Sequence, residues 1–342
     1  MADGGAALAI AAAIASAASA APAGAAGAED SFQGKQITIH VGSGPGGAYD
    51  TFARLLARHF ARHIPGNPAV VVTNVPGASG RRMINSIYNV APKDGTAIGT
   101  GLSTLAFDPL MGEASQFDAQ KLAWIGSSNK ETAACIIWNG SPIKSIEDVK
   151  RRTTAVGSSG PSSTDSIYPN VLNALFGMQF KVVQGYASAP EMSLAIERGE
   201  LDGRCGLTWS SLQSVNADWV SGKKIRIILQ FALEKHPDLA GVPFVFDLAQ
   251  SEEERQILTL WAAPNQMGRP YFTAPGTPPA TVDLLRRAFD ATIRDPAYVA
   301  DAAKVGVGAD PMTGEEVEAL VKKVYATPQA IVEKAGVAAK GK

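Results

Sequence analysis

Residues 36–62 read QITIHVGSGPGGAYDTFARLLARHFAR and predict a strand, a turn and a helix in succession. Residues 37–41 alternate β-branched with more polar side chains, which is typical of a strand. Residues 52–60 place their large apolar side chains on one helical face and arginines on another. The turn between them, residues 42–47, is GSGPGG and has hardly any side chains. Its backbone N–H groups would point outward at the positive end of a helix, which predicts a site for phosphate or carboxylate.

The same unit recurs directly afterwards. Residues 69–90 predict a short buried strand, a second glycine-rich turn (NVPGASG) and a helix, and residues 96–100 predict a third strand. Repetition of strand, turn and helix is typical of a parallel α/β sheet, whose loops gather at the carboxyl ends of the strands. We therefore expect the first glycine loop (residues 42–47) and the second glycine loop (residues 76–80) to face one crevice.

A second α/β section follows residue 130. Its strands are predicted from short runs of β-branched and apolar residues at positions 134–138, 154–156, 181–183 and 225–229. Residues 157–165 form a turn, GSSGPSSTD, that precedes a predicted helix. The amides and hydroxyl groups of this turn predict another anion-binding segment.

The composition narrows the class of protein. A chain of 342 residues with 46% hydrophobic residues can bury a large core and is long enough for two domains. Its formal net charge of -1 lacks the basic footprint of nucleic-acid-binding proteins, so we expect no nucleic-acid partner. The two cysteines, Cys135 and Cys205, form either one disulfide or two buried thiols.

Residues 1–28 stand apart as an alanine-rich leader. Positions 4–28 carry no charge, the apolar stretch around Ile10 resembles the core of a signal peptide, and Ala18-Ser19-Ala20 suits cleavage. However, the preceding segment contains an aspartate and no lysine or arginine. A disordered leader and a membrane anchor are the alternatives, although alanine, serine and glycine gain little by entering lipid. We expect a signal peptide or disordered leader, and export to the periplasm.

Catalytic motifs in the chain are incomplete. The first glycine loop matches the G-x-G-x-x-G dinucleotide fingerprint, but the next strand ends at Asn74, where that motif needs an acidic residue. A nucleotide-dependent α/β enzyme that binds phosphate at this loop is kept as the alternative function. His59 and His63 have the spacing of a zinc-protease helix, but Phe60 replaces the catalytic glutamate, so we expect them on a solvated face. We predict no catalytic residue, metal or cofactor, and hence no enzyme.

Three motifs stand out in order along the chain. They are PGG at residues 45–47 with Asp50, NVPGA at residues 74–78, and APKDGT at residues 91–96. Weaker matches follow at residues 157–160, 185–186, 199–202, 237–243 and 274–278. In this order and spacing the chain after residue 32 resembles the Bug family, the extracytoplasmic solute receptors of tripartite tricarboxylate transporters.

The resemblance implies a two-domain α/β periplasmic-binding-protein fold of the Venus-flytrap, type II-like kind. Domain 1 would comprise residues 32–130 and 264–342, and domain 2 residues 131–263, with crossover strands between them. The cleft would close on a small organic acid, often a di- or tricarboxylate, and the protein would deliver it to integral-membrane permease subunits. A monomer without a cofactor is expected.

The resemblance also implies which residues hold the ligand. Backbone N–H groups of the two glycine loops would bind one carboxylate, and the second domain would meet the other end of the ligand. Asp50 would either contact the ligand or cap the helix. Ser79 departs from the usual glycine, so we expect ligand identity to differ there. The predicted contacts are Gly44, Pro45, Gly46, Gly47, Tyr49, Asp50, Pro76, Gly77, Ala78, Ser79, Ser103, Thr104, Ser158, Ser159, Thr164, Asp165, Tyr186 and Trp209.

Overall fold

The computed structural model describes residues 1–2, 32–111, 115–161, 163–186, 189–308 and 310–341. Apart from its first two residues, the predicted leader at residues 1–28 lies outside the described residues. Within these ranges the strands are β1 (Gln36–Val41), β2 (Ala69–Asn74), β3 (Ala97–Thr100), β4 (Ala123–Ser127), β5 (Ala133–Trp138), β6 (Thr154–Ser158), β7 (Phe180–Gln184), β8 (Gly203–Thr208), β9 (Ile225–Phe231), β10 (Pro270–Thr273) and β11 (Met312–Thr313).

The first sheet has the strand order β11-β4-β10-β3-β1-β2. β1 pairs in parallel with both β2 and β3, as the repeated unit predicts. Val41, the last residue of β1, therefore lies beside Asn74 and Thr100, the last residues of its two neighbours. The loops that follow these three strands leave the sheet at one edge, which brings the two glycine loops together.

The second sheet has the strand order β7-β6-β8-β5-β9. β6 is parallel to β7 and β8, whereas β5 is antiparallel to β8 and β9. The first sheet, predicted to be parallel, likewise contains β10 as an antiparallel strand between β3 and β4. β11 is antiparallel to β4 as well. β5 and β10 are the strands that the chain enters as it passes from one sheet to the other.

The helices are amphipathic and cover the sheets. The predicted inward face of the first helix, with Phe52, Leu55 and Phe60, is buried. None of the helices in the described part of the chain is long and apolar enough to cross a membrane. They are α1 (Ala48–Phe60), α2 (Arg81–Asn89), α3 (Ile146–Arg151), α4 (Thr164–Phe176), α5 (Ala189–Glu197), α6 (Trp209–Ser214), α7 (Ala217–Ser221), α8 (Glu252–Gln266), α9 (Pro279–Arg294), α10 (Pro296–Lys304), α11 (Gly314–Tyr325) and α12 (Gln329–Lys340).

The histidines of α1 and the turn after it are not solvated as the sequence predicts. His59 is 7% exposed, and its Nε2 lies 3.0 Å from Asp301 Oδ2 on α10. His63 pairs similarly with Asp295, at 3.0 Å. The prediction was wrong because α10 packs across this end of α1, a contact between distant parts of the chain that helical periodicity cannot reveal.

Two short segments join the sheets. Residues 128–132 lead from β4 to β5, and residues 267–269 lead from α8 back to β10. The segments pair directly: Ser128 N donates to the Arg269 carbonyl at 3.0 Å, and Glu131 N donates to the Asn265 carbonyl at 2.8 Å. We call residues 128–132 and 267–269 the crossover segments.

The end of the chain returns to the second sheet. The predicted domain boundary at residues 263/264 falls inside α8, and α12, predicted with the first domain, packs against α4 and α8. Asn170 Nδ2 donates to the Ala339 carbonyl at 2.9 Å, and Trp261 Nε1 donates to the Ala335 carbonyl at 3.3 Å. A helix from the end of the chain thus covers the second sheet.

A disulfide joins Cys135 in β5 to Cys205 in β8. The two strands are neighbours in the second sheet, and both residues are buried. Of the two arrangements that the sequence leaves open, the structure has the bridge. It closes a loop of 70 residues in the unfolded chain, which restricts the unfolded state.

We expect loss of this disulfide to lower the free energy of unfolding by about 4 kcal/mol, because loop-closure entropy grows with the length of the closed loop. Urea unfolding with and without a reducing agent measures the effect. The Cys135→Ala/Cys205→Ala double variant is the control and should not respond to the reductant. Two titratable thiols in the unreduced, denatured protein would contradict the bridge.

Candidate functional site

The first glycine loop is held in place by the side chain of Asp50. Gly46 has a left-handed conformation (φ +81°), and its N–H donates to Asp50 Oδ2 at 2.9 Å. The same oxygen accepts from Arg54 Nε at 3.0 Å, and Oδ1 accepts from Asn74 Nδ2 at 2.9 Å. Asn74 ends β2 and also donates to the Ser43 carbonyl at 3.0 Å. One carboxylate therefore ties the loop to the end of the neighbouring strand.

These contacts give Asp50 a structural role in the first glycine loop. Asp50 is 3% exposed, and both of its carboxylate oxygens accept hydrogen bonds from the protein. The hydrogen bond from Arg54, together with those from Gly46 and Asn74, lowers the pKa of the carboxyl to about 2, although burial acts in the opposite direction. Asp50 is therefore an anionic brace for the loop.

The second glycine loop has an unusual backbone. Four successive residues have positive φ: Gly77 (+135°), Ala78 (+47°), Ser79 (+54°) and Gly80 (+94°). Residues other than glycine adopt this conformation at a cost of roughly 1–2 kcal/mol each. At Gly80 a Cβ atom would lie 2.9 Å from Leu105 Cδ1 and 3.2 Å from the Gly42 carbonyl oxygen. The two glycine loops and the loop after β3 are thus packed against one another.

Tyr49 links α1 to the loop after β3. The Ser103 N–H donates to the Tyr49 hydroxyl oxygen at 3.2 Å. Because a phenol that accepts a hydrogen bond keeps its own hydrogen, Tyr49 can still donate to a bound molecule. The amides of the first turn of α1, next to Tyr49, have no acceptors within the helix. Hydrogen-bond donors therefore concentrate at this edge of the first sheet.

A cavity of about 210 Å³ lies beside these loops, between the two sheets. Residues of the first sheet's loops form one side, the start of α4 and the end of β8 form the other, and the crossover segments with the end of α8 complete the lining. The lining residues are Tyr49, Leu102, Ser103, Thr104, Glu131, Thr164, Gly206, Thr208, Pro264, Asn265, Gly268 and Arg269.

An ion pair lies where the crossover segments meet. Arg269 Nη2 is 3.1 Å from Glu131 Oε1, and the two side chains are 12% and 4% exposed. The Arg269 guanidinium also lies over the rings of Tyr49 and Phe52, 4.8 Å and 5.1 Å from their centroids. Ser210, on the second sheet's side, donates to Glu131. The pair thus connects both sheets to the cavity.

The chain matches the tripartite tricarboxylate transporter family receptor over residues 52–337. It belongs to this family. The resemblance predicted from the motifs is confirmed, and so is the prediction that the protein is a solute-binding receptor and not an enzyme.

Individual relatives agree with this assignment. A UPF0065 protein of Bordetella bronchiseptica is 24% identical over 282 residues, which cover 80% of this chain and 77% of that protein. A TctC solute-binding protein from Polaromonas, solved without ligand, aligns with a TM-score of 0.70 at 19% identity, over 88% of this chain and 98% of that one. A Rhodopseudomonas palustris protein solved with adipate aligns with a TM-score of 0.61 at 17% identity, over 88% and 97%. The structures share the predicted two-domain α/β fold.

In this receptor, four predicted contacts line the cavity: Tyr49, Ser103, Thr104 and Thr164. The other predicted residues of the two glycine loops, residues 44–47 and 76–79, are exposed at the same sheet edge but do not line the cavity. They lie next to it, because Tyr49 follows the first loop directly and the Leu105 side chain contacts the second.

The predicted polar residues of the second domain are mostly engaged within it. Asp165 is 4% exposed and binds Arg204 at 2.7 Å; burial raises the pKa of Asp165, although Arg204 counteracts the shift. Ser158 is fully buried, and its Oγ lies 2.7 Å from Ser166 Oγ. Ser159 is exposed and outside the cavity lining. Asp165 and Ser158 stabilise the turn before α4.

Trp209 and Tyr186, two aromatic residues among the predicted contacts, lie outside the cavity lining. Trp209 is 9% exposed, belongs to a hydrophobic cluster on the second sheet, and donates from Nε1 to Asp238 Oδ2 at 3.1 Å. Tyr186 packs against the same cluster. Neither residue is among those that line the cavity.

Sequence reasoning missed the residues that the crossover segments and the second sheet contribute. Gly206 carried a usable signal, since it ends a short run, residues 201–206, that predicts a further strand, and at φ +82° a Cβ atom there would lie 2.9 Å from Thr164 Oγ1. Glu131 and Arg269 carried no such signal, because no local sequence pattern distinguishes them from the other charged residues. The missed residues are Leu102, Glu131, Gly206, Thr208, Pro264, Asn265, Gly268 and Arg269.

Replacing Asp50 with asparagine tests the brace. We expect the Asp50→Asn variant to lose about 1–2 kcal/mol of unfolding free energy at pH 7, a range that allows for solvent screening at Arg54. The folded-state pKa lies below the unfolded value, so the contribution is complete above about pH 5 and is lost as the pH falls toward 2. The difference between the two proteins should therefore shrink on acidification, as measured by urea unfolding.

Asp218→Asn is the matched control for this experiment. Asp218 also pairs with a cation, Lys224 at 2.7 Å, but its side chain is 62% exposed. We expect a smaller change in stability than at Asp50, because solvent screens exposed pairs. Equal effects of the two substitutions would contradict the bracing role of Asp50.

Proposed function

We propose that the receptor captures a small organic acid in the cavity between its two sheets and presents it to a membrane permease. The observation that carries the proposal is the composition of the cavity wall. Loops of the first sheet provide Tyr49 and Ser103, and the second sheet's side provides Thr164. A molecule bound there would contact both halves of the protein.

The donors around the cavity favour an anion. Unpaired amides at the start of α1 carry the positive end of its dipole, and the Tyr49 hydroxyl lies in the same turn. Each charge-assisted hydrogen bond to a carboxylate contributes roughly 1.5–3 kcal/mol, so two or three of them suffice for useful affinity. The adipate held by the Rhodopseudomonas palustris protein is a ligand of this chemistry.

The crossover segments suit a closing motion. Two short segments are the direct links between the sheets at the cavity, so a change of a few backbone angles there can move one sheet relative to the other. A ligand that contacts both sides favours the closed arrangement by the contacts that it makes only there. Ligand capture and closure are thus one equilibrium.

Membership of the family supports the proposed delivery step and compartment. The family is defined by receptors of a tripartite transporter, which supports permease subunits as the partner. Such a receptor works outside the cytoplasm, which agrees with the signal-peptide-like leader. The nucleotide-binding alternative has no support: Asn74, at the position where a ribose-binding acid is needed, braces the first glycine loop through Asp50.

A thermal-shift screen tests this function. We expect four- to six-carbon carboxylic acids to raise the melting temperature by binding the folded state, and ATP and NAD to leave it unchanged. Calorimetry then gives the affinity of the acid with the largest shift. Stabilisation by nucleotides and by none of the acids would contradict the proposal.

The Gly46→Ala variant tests the first glycine loop in the same assay. Alanine disfavours the left-handed conformation of Gly46 by about 1–2 kcal/mol, so the loop either relaxes or holds strain. We expect the affinity for the acid to fall roughly tenfold. Gly177→Ala is the matched control: Gly177 has φ +64° and open space for a Cβ atom, but it ends α4 away from the cavity. It should lose stability and keep the affinity; an unchanged affinity in Gly46→Ala would remove the loop from the site.

A further inference from the structure

The charges of the cavity cancel. Among the lining residues, Glu131 and Arg269 are the two with ionisable acidic or basic side chains, and they form an ion pair with each other. Their side chains are 4% and 12% exposed, so solvent screens them little. A ligand that enters the cavity meets a neutral pair with one acidic and one basic member. This charge pattern restricts the chemistry of the ligand.

Arg269 is already neutralised by its partner. Its Nη2 lies 3.1 Å from Glu131 Oε1 in an ion pair, its Nη1 donates to the Gly268 carbonyl at 2.7 Å, and its guanidinium is stacked against Tyr49 and Phe52. Its Nε is buried and has no acceptor among the described residues. Arg269 thus keeps N–H groups that can donate to a further acceptor, but it does not offer an uncompensated positive charge.

Glu131 has room for another donor. Oε1 accepts from Asn129 at 3.2 Å and forms the ion pair with Arg269, and Ser210 Oγ lies 2.9 Å and 2.8 Å from Oε1 and Oε2. Ser210 has a single hydroxyl hydrogen, which can satisfy only one of the two oxygens fully. A carboxylate has about four acceptor positions, and Oε2 has no other donor among the described residues. A donor group on a ligand would complete its hydrogen bonding.

We propose that the ligand carries one carboxylate and, a few bonds away, a hydrogen-bond donor (an ammonium or hydroxyl group) that faces Glu131. The inference rests on the proposed function, since it takes the carboxylate to lie at the loops of the first sheet. A second carboxylate in place of the donor would stand against Glu131 without a free cation, and like charges repel strongly where solvent is excluded. Glu131 thereby selects amino or hydroxy acids over plain diacids.

Matched acids test this selection in the full receptor. We propose calorimetry at pH 7 with adipate, 6-aminohexanoate, 6-hydroxyhexanoate and hexanoate, and with the corresponding four-carbon acids. Within at least one of the two lengths, a donor-bearing acid should bind at least tenfold more tightly than the diacid and the unsubstituted monoacid. Comparison within one chain length removes the effect of size.

The Glu131→Gln variant tests whether Glu131 is responsible for the preference for donor-bearing acids. Glutamine keeps the shape and removes the charge, so the preference for the donor-bearing acid over the diacid should fall from tenfold or more to less than threefold. Glu147→Gln is the control, because Glu147 is exposed on α3 and pairs with Lys150 far from the lining. It should leave the ranking of the acids unchanged.

The outcomes distinguish a failure of the inference about Glu131 from a failure of the proposed function. A diacid that binds as tightly as its donor-bearing counterparts at both lengths would overturn the inference and leave the proposed function standing. A folded Glu131→Gln variant with the full preference would also overturn it. If that variant does not fold, the ranking in the unaltered protein decides. Binding of none of the acids would overturn the proposed function, and this inference with it.

Discussion

The pairing of the two crossover segments is the constraint on which the cavity depends. Backbone hydrogen bonds join the segments, and the ion pair of Glu131 and Arg269 ties their side chains together. A buried ion pair contributes little net stability compared with well-packed apolar groups, but removing one partner alone typically costs 3–5 kcal/mol. Its effect is therefore mainly on geometry: it fixes where the second sheet lies relative to the loops of the first. The same two residues are the charged members of the cavity wall, so the links between the sheets and the lining of the cavity share this ion pair.

The glycine loops owe their positions to strand pairing. Parallel alignment of β1 with β2 and β3 brings three loops to one edge, and close contact at Gly42 and Gly80 leaves no room for side chains there. The hydrogen bond from the Gly46 N–H to Asp50 then holds the first loop in a left-handed conformation, which glycine adopts without strain. Strand register, missing side chains and one buried carboxylate together form the edge at which we propose that the acid binds.

Much of this fold was predictable from local patterns. Short runs of β-branched and apolar residues located most strands to within one or two residues, and the repeated strand–turn–helix unit placed both glycine loops correctly at one edge. The pattern did not reveal β4 or α12, which are short or weakly amphipathic. It also missed α8, although Ser251 and Glu254 form a capping box that marks its start.

The site was less predictable than the fold. Asp50 and Asp165 are the residue types that a ligand site would use, and only their partners show that they act structurally. Arg54 lies one helical turn from Asp50, so this pairing could have been predicted from the sequence. Arg204, in contrast, reaches Asp165 of α4 from the strand β8. Glu131 and Arg269 meet only because two distant segments cross between the sheets. Local sequence carries no information on such a contact.

A crystal structure of the receptor with a bound acid tests the central claim most directly, and 6-aminohexanoate is the informative ligand. We expect the molecule to lie between the two sheets, with its carboxylate at the Tyr49 and Ser103 side and its ammonium group within hydrogen-bonding distance of Glu131. A ligand bound outside this cavity, or one turned so that its carboxylate lies against Glu131, would contradict this claim.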